Sequence, residues 1–245
     1  MGNARCKSFR VEYLETDLWI AVDSGNYSIK AEIFSKEQAV YYRNILDKHI
    51  CEFPEFLTSL TPLAVPARAH PLIAEMYKAS GIAGTGPMSA VAGAVAEYIC
   101  NDLISKFGFS EAIIENGGDI FIKINHPATI SVYAGASPLS ERIGLFIKPE
   151  DTPMSICCSS GTVGHSLSFG NADAAVIGCR SGAQADAYAT ACCNEVKSSS
   201  MVSEVAQSFL QKSDIISVIV IKDDKAGIGG KLEVKILDNG TGPTI

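Results

Sequence analysis

The sequence predicts an α+β fold in which antiparallel sheets pack against long helices. Segments with strand-like alternation come in groups joined by turn residues, and long segments of helical periodicity lie between those groups. Hydrophobic residues make up 47% of the 245 residues and charged residues 19%, a balance that supports one large apolar core. We therefore expect residues 1–237 to form a single domain and residues 238–245 to form a flexible tail.

Alternating apolar residues predict the strands, and apolar residues three or four positions apart predict the helices. The predicted strands span residues 9–22, 28–34, 111–115, 120–124, 130–134, 145–148, 154–158, 174–178, 215–222 and 231–237. The predicted helices span residues 36–50, 72–79, 88–107, 185–196 and 202–211.

Glycine and proline set the breaks between these elements. Pro54 ends the first helix, three prolines make residues 61–71 an irregular connection, and three glycines make residues 81–87 a loop. The last two strands are expected to pair as a hairpin around the glycines of residues 227–230.

Charge and cysteine usage exclude several functional classes. The net charge of −7 argues against nonspecific binding to nucleic acid or to anionic membranes. The N-terminus has no secretion signal and no segment reaches about 18 apolar residues, so we expect a cytoplasmic protein without a membrane span. The eight cysteines contain no CxxC pair, which favours free thiols over a zinc site.

Asp186 and Thr190 are the first candidates for a metal site. Four residues apart in a predicted helix, they share one face, and both offer the oxygen ligands that Mg²⁺ prefers. The alternative is structural: Asp186 would cap the start of its helix, and Thr190 would bond back to its own backbone.

Two glycine-rich segments could approach a nucleotide closely. In Glu115–Asp119, two glycines allow a sharp turn, and a carboxylate could accept from a ribose hydroxyl or an adenine amine. An ordinary solvated hairpin turn is the alternative there. At residues 86–90 the start of a helix could bind an anion, and close helix packing is the alternative explanation for its glycines.

Cysteine, serine and histidine come together over residues 157–166. They invite a nucleophile–base interpretation, but the segment has no GxSxG elbow, so we favour a polar loop that contacts a ligand.

Several motifs together carry a family resemblance. The segments GTGPMSAVAGAVAEYI, ENGGDIFI, YAGASPLS, SSGTVGHSLSFGNADA and ADAYATACCN occur in this order, after ETDLWIAV near the start. They resemble the signature set of the UPF0280 family over residues 9–237. That family is similar in turn to ApbE, the FAD:protein FMN transferase, which uses Mg²⁺ to cleave FAD and place FMN on a threonine of a target protein.

The resemblance implies a T-fold-related α+β fold, a bound flavin nucleotide (FAD or FMN), Mg²⁺ and an acceptor protein. It implies metal ligation by Asp186, Thr190 and the carbonyl of Ala94, and catalytic roles for Asp186, Thr190 and His165. The residues implied to contact the nucleotide are Gly86, Met88, Asn116, Gly117, Gly118, Asp119, Ser160, Gly161 and Thr162.

The chain also departs from the transferase pattern. Glu97 stands where the transferases carry a lysine, and the histidine-containing segment ending in Asp-Pro-x-Thr-Gly is absent. Three hypotheses follow: an Mg²⁺-dependent transferase or pyrophosphatase, a factor for homocysteine formation in anaerobes, or a non-catalytic scaffold. The second predicts a lowered pKa at Cys157 or Cys158. Small-residue helix faces and strand edges favour a homodimer.

Overall fold

The structure, a computed structural model, describes residues 5–162 and 170–238. The strands are β1 (Cys6–Tyr13), β2 (Thr16–Asp23), β3 (Ala112–Asn116), β4 (Asp119–Lys123), β5 (Ala128–Ser131), β6 (Ile143–Ile147), β7 (Met154–Ser159), β8 (Ala174–Cys179), β9 (Ile215–Lys222), β10 (Lys225–Gly230) and β11 (Glu233–Ile236). The helices are α1 (Ile29–Glu52), α2 (Glu55–Thr58), α3 (Pro71–Ala83), α4 (Val91–Phe107), α5 (Gly182–Glu195) and α6 (Val202–Leu210).

One large antiparallel sheet organises the described part of the chain. Its eight strands run in the order β1-β2-β3-β4-β7-β8-β9-β10, and β4 pairs with β7 to join two halves. Each half contributes two strands, then helices, then two more strands. A smaller sheet has the order β11-β6-β5. The predicted α+β class with antiparallel sheets is confirmed.

Alternate residues of the central strands face two different cores, as the strand period of two requires. Ile20 and Ile114 pack against helices α1, α3 and α4. Ala21 and Ile113 point the other way and pack against the smaller sheet. Helices α5 and α6 cover β7, β8 and β9 on the helical side. The result is three layers, with the helices on one face of the large sheet and the small sheet on the other.

The predicted strand over residues 28–34 is wrong, because α1 begins at Ile29 and continues unbroken to Glu52. Its buried residues Ala31, Ser35 and Ala39 recur every four positions, which a helix requires. The short run of apolar residues in this segment is compatible with the strand period of two and with the helix period of about 3.6. The helix forms because it packs on the large sheet. The predicted strand 9–22 is a hairpin that turns between Tyr13 and Thr16.

The predicted pairing of the last two strands is also wrong. Strand β9 pairs with β10, whereas β11 crosses to the smaller sheet and pairs with β6. The glycines at 227–230 lie inside β10 rather than in a turn. A Cβ on Gly227 would collide with the Val202 carbonyl, so this glycine permits close packing of α6 on the sheet.

Two further differences from the sequence prediction concern helices α2 and α3. Helix α3 extends through Gly81 to Ala83, so the predicted loop 81–87 is shorter, and the short helix α2 follows the predicted stop at Pro54. Within the described residues, no helix combines the length and the apolar character that a membrane crossing requires.

Glu111, just before β3, connects the beginning of β1 to the end of β4. Its side chain is 4% exposed and accepts from Arg5 Nε at 2.8 Å and from the backbone N–H groups of Asn125 and His126. Burial by itself would raise the pKa of Glu111, but these hydrogen bonds outweigh it and lower the pKa to about 2.

We expect Glu111 to make the stability of the fold depend on pH in acid. Because the pKa lies below its ordinary value of 4.5, the carboxylate stabilises the fold fully above that pH and loses this effect as the pH falls toward 2. Glu111→Gln should lower stability at pH 7 by about 1–3 kcal/mol and flatten the fall of Tm in acid.

Asp17→Asn is the control for this measurement. Asp17 pairs with Arg10 at the surface, where both side chains are more than half exposed, so its loss should leave the acid slope unchanged. Equal acid slopes for wild type and Glu111→Gln would contradict the assignment.

Candidate functional site

Helices α4 and α5 cross with their backbones in contact. Gly93 lies in the first turn of α4, and Gly182 is the first residue of α5. A Cβ on either glycine would collide with the carbonyl oxygen of the other, so no other residue fits at this crossing without moving a helix. The contact brings the starts of the two helices together.

Each helix supplies the carboxylate that caps the start of the other. Asp186 on α5 accepts from Gly93 N–H at 2.9 Å, and Glu97 on α4 accepts from Gly182 N–H at 2.6 Å. Ala90, the residue before α4, has no side chain that could do this. Each acid lies four residues after its own glycine, so the two contacts are related by near twofold symmetry.

The sequence itself contains a repeated pattern that points to this arrangement. Residues 93–97 read GAVAE and residues 182–186 read GAQAD. Both segments place a glycine and an acid four positions apart, hence on one helix face. Two such segments predict a pair of helices that approach through the glycines. The structural alternative for Asp186 was wrong in detail, because Ser181 caps α5 and Asp186 caps α4.

A second buried carboxylate lies at this crossing. Asp119, the first residue of β4, accepts from Cys158 N–H at 3.1 Å. Burial raises the pKa of Asp119 well above its ordinary range, and the nearby charge of Asp186 raises it further. Burial also raises the pKa of Asp186 to about 7, although the N–H groups of Gly93 and Ala92 oppose the shift. The site therefore buries two carboxyl groups that can both ionise only at a cost unless a positive charge compensates them.

The residues present fit a hard divalent cation in their donor chemistry. Asp119 and Asp186 are buried carboxylates. Among the described residues, no basic side chain is one of the groups that shift the pKa of either acid. Oxygen is the ligand atom that Mg²⁺ prefers, and a cation would offset the repulsion between the two anions. Across residues 5–162 and 170–238, no group of three or more His, Cys, Asp or Glu residues is placed so that it could hold a metal ion.

The predicted metal ligands lie around the same crossing. Thr190 is partly buried one turn after Asp186 on α5. Ala94 is fully buried in α4, next to Gly93, whose N–H binds Asp186. The structure thus brings Asp186, Thr190 and Ala94 to the two helices that meet at the contact between Gly93 and Gly182.

The segment 116–119 is both a hairpin turn and part of this site. Asn116 pairs with Asp119 across a two-residue turn, and Gly117 and Gly118 have positive φ angles of 64° and 105°. The glycines are exposed, as a simple turn predicts, whereas Asp119 is buried. The Asn116 side chain donates to the Ala92 carbonyl at 3.1 Å, which joins the turn to the start of α4.

Gly86 precedes the 3₁₀ turn (Pro87–Ala90) that leads into α4, and Met88 lies within that turn. A Cβ on Gly86 would collide with the Ser59 carbonyl, so close packing explains this glycine. Met88 is partly buried and packs on the helical core. The N–H groups at the start of α4 already bind Asp186, so the anion at this helix start is the protein's own carboxylate.

The segment 160–162 leads away from the crossing. Ser160 is partly buried, and Gly161 donates its N–H to the Ala172 carbonyl. The Thr162 hydroxyl donates to Asp173 at 3.1 Å, and both residues line an open cavity of ≈ 550 Å³ together with Lys222 and Asp223. His165 lies outside the described residues.

The thiols at the site are protected rather than activated. Cys157 Sγ lies 3.8 Å from the Gly182 carbonyl, and burial raises the pKa of Cys157 well above its ordinary range. Burial likewise raises the pKa of Cys158 to about 12. The lowered pKa that a sulfur-handling role predicts is therefore not found at either residue.

Comparison with known proteins gives close relatives among methanogenic archaea. A family model described as AbpE bacteria matches residues 2–227. A UPF0280 protein of Methanocaldococcus jannaschii is 38% identical over 229 residues, which cover 91% of this chain and 90% of the relative. A UPF0280 protein of Methanococcus aeolicus is 36% identical, with the same coverage.

Solved structures share the fold at low sequence identity. The flavin transferase ApbE from Vibrio cholerae has a TM-score of 0.53 and 13% identity, over 94% of this chain and 97% of its own. The ApbE protein of Thermotoga maritima has a TM-score of 0.54 and 15% identity, over 93% and 96% of the two chains. These similarities confirm the ApbE-like fold that the resemblance implies.

The helix crossing predicts opposite effects for two glycine substitutions. Gly93→Ala places a methyl group against the Gly182 carbonyl and should lower the free energy of unfolding by about 1–3 kcal/mol. Gly81→Ala, in helix α3, meets no atom within 4 Å and should raise it by up to about 1 kcal/mol. Urea unfolding of both variants measures the contrast, and a neutral Gly93→Ala would refute the close contact.

The raised thiol pKa values predict slow alkylation at the site. Cys51 is exposed and should react first with iodoacetamide in the folded protein. Cys157 and Cys158 should react at least about 100-fold more slowly, because few of their thiols are ionised; burial also blocks access to Cys157. Mass spectrometry of the labelled peptides measures the order, and early labelling of Cys157 would reverse the conclusion.

Proposed function

The chain belongs to the family that the AbpE bacteria model and the UPF0280 proteins define, and from that premise we propose that it binds a flavin nucleotide with Mg²⁺ and cleaves FAD. The observation that carries this proposal is the buried pair Asp119 and Asp186 at the start of α4. The fold neighbours from Vibrio cholerae and Pseudomonas stutzeri are flavin or flavinyl transferases, which suggests the ligand class.

The charge of the site supports a cation-dependent ligand. Two buried carboxylates without a basic partner are costly in a protein interior, and such clusters are common at functional sites. A diphosphate is also anionic, so by itself it would be repelled. Binding of the nucleotide should therefore require a divalent cation, which when bound supplies Lewis-acid polarisation of a phosphoryl oxygen.

The proposal assigns roles to this chain's own residues. Asp186, Thr190 and the carbonyl of Ala94 would hold the cation, and the ionised carboxylate of Asp119 would add negative charge beside it. Gly117 and Gly118 are exposed and have no side chains, so a nucleotide can approach their backbone closely. Gly86, Met88 and residues 160–162 stay as predicted nucleotide contacts, and His165 stays a predicted catalytic residue.

Cleavage breaks the P–O bond between the FMN phosphorus and the oxygen that bridges the two phosphates of FAD. AMP leaves with that oxygen, and the FMN phosphoryl group bonds to the oxygen of an acceptor-protein hydroxyl or of water, which releases its proton. Water as acceptor gives free FMN, whereas a protein acceptor gives covalently bound flavin. The homodimer and the cytoplasmic location remain predictions from the sequence.

Incubation of the pure protein with FAD and millimolar Mg²⁺ tests the proposal. Chromatography should detect AMP together with FMN, and chelation of the metal should stop product formation. Asp186→Asn should lower the rate by about 100-fold or more, which corresponds to ~2.7 kcal/mol of lost transition-state stabilisation.

Asp102→Asn is the matched control. Asp102 is an acid of the same helix α4 as Gly93, but it accepts from Tyr42 at 2.5 Å on the side of α1. Its substitution should leave the rate unchanged. Failure of the wild-type protein to bind FAD at millimolar Mg²⁺ would refute the proposed function.

A further inference from the structure

The start of α5 is held by a carboxylate from another helix. Gly182 is the first residue of α5, and its N–H donates to Glu97 Oε2 at 2.6 Å. A Cβ on Gly182 would lie 3.1 Å from Glu97 Cβ, so the Glu97 side chain begins close to this backbone. Glu97 therefore points at the helix start rather than into open solvent.

This contact and the one made by Asp186 form a closed ring. Glu97 binds the start of α5 at Gly182, α5 carries Asp186 one turn later, and Asp186 binds the start of α4 at Gly93. Helix α4 then leads back to Glu97 after one turn. A ring of two helix turns and two charge-assisted hydrogen bonds has little freedom, because a shift at one corner displaces the others.

We infer that Glu97 is a positioning residue, which fixes the start of α5 and thereby holds the carboxylate of Asp186 in its place beside Asp119. This role requires no contact between Glu97 and a nucleotide or a cation. That Glu97 positions Asp186 through the two helix starts does not depend on the proposed function. That Glu97 thereby affects the binding of a cation rests on the proposed function.

Charge and packing favour this role over direct contact with a phosphate. A phosphate beside Glu97 would meet a carboxylate that already occupies the N–H group of Gly182. Glu75 on α3 is a further acid that acts on Glu97, so no compensating positive charge is near among the groups that perturb it. The function that remains for Glu97 is to bind the helix start.

Two substitutions at position 97 separate the hydrogen bond from the packing. Glu97→Met keeps a long side chain but removes the strong acceptor, whereas Glu97→Gln keeps an oxygen that can accept from Gly182 N–H. Glu97→Ala is a second removal variant in case Glu97→Met does not fold. Asp102→Asn, on the same helix but facing α1, is the control for general loss of stability.

Amide hydrogen exchange at Gly93 is the first measurement. Gly93 N–H binds Asp186 and not Glu97, so it reports the position of Asp186 without any metal or nucleotide. Exchange should accelerate about tenfold in Glu97→Met and stay within about threefold of wild type in Glu97→Gln and Asp102→Asn. Unchanged exchange in Glu97→Met, or equal acceleration in Asp102→Asn, would overturn the inference.

Affinity for Mn²⁺, measured by electron paramagnetic resonance, is the second measurement. Glu97→Met should weaken binding at least about tenfold, as loss of an outer-shell contact commonly does, and Glu97→Gln should restore most of it. Equal affinity in wild type and Glu97→Met would overturn the effect on the cation. If the wild-type protein binds no Mn²⁺, the proposed function fails, and Gly93 exchange alone decides whether Glu97 positions Asp186.

Discussion

The backbone contact between Gly93 and Gly182 is the constraint on which the candidate site depends. It exists because neither residue has a side chain, so α4 and α5 approach until carbonyl groups touch the opposite helix. At that distance an acid one turn along each helix reaches the unpaired N–H group at the start of the other. The sheet completes the arrangement when Asn116 of the β3–β4 hairpin binds the Ala92 carbonyl.

The same contact concentrates charge where water is excluded. The N–H groups at a helix start stabilise carboxylates, and Asp186 and Glu97 each accept a hydrogen bond from such a group. Asp119 accepts a hydrogen bond from the backbone N–H of Cys158. Its pKa nevertheless remains raised by burial and by the charge of Asp186. The fold therefore buries two acids whose simultaneous ionisation its hydrogen bonds do not compensate. Burial of such a pair is unfavourable for stability alone, which is the physical reason for the proposal of a cation at this place.

The sequence predicted the class of the fold and the helix of Asp186, because helix and strand periodicity are local properties. It could not predict that residues 28–34 are helical or that β11 pairs with β6 instead of β9. Both outcomes depend on packing against the sheets, which is not a local property of the sequence. The position of Asp186 opposite Gly93 needed a contact across 93 residues of sequence. Motif similarity named the residue, but only the packing explains why a carboxylate is stable there.

The electrostatics of a helix start explain what Glu97 does at a position where the chain departs from the transferase pattern. The transferases that the chain resembles carry lysine at this place, and a lysine would put positive charge against the positive end of α5. A helix start that is not filled by a protein carboxylate is open to an anion from outside, such as a phosphate. Here Glu97 fills it, so the start of α5 contributes to the protein's own framework. On the proposed function, the side chain at position 97 and the start of α5 would therefore not neutralise a phosphate, and that task would fall to the cation beside Asp119 and Asp186 alone.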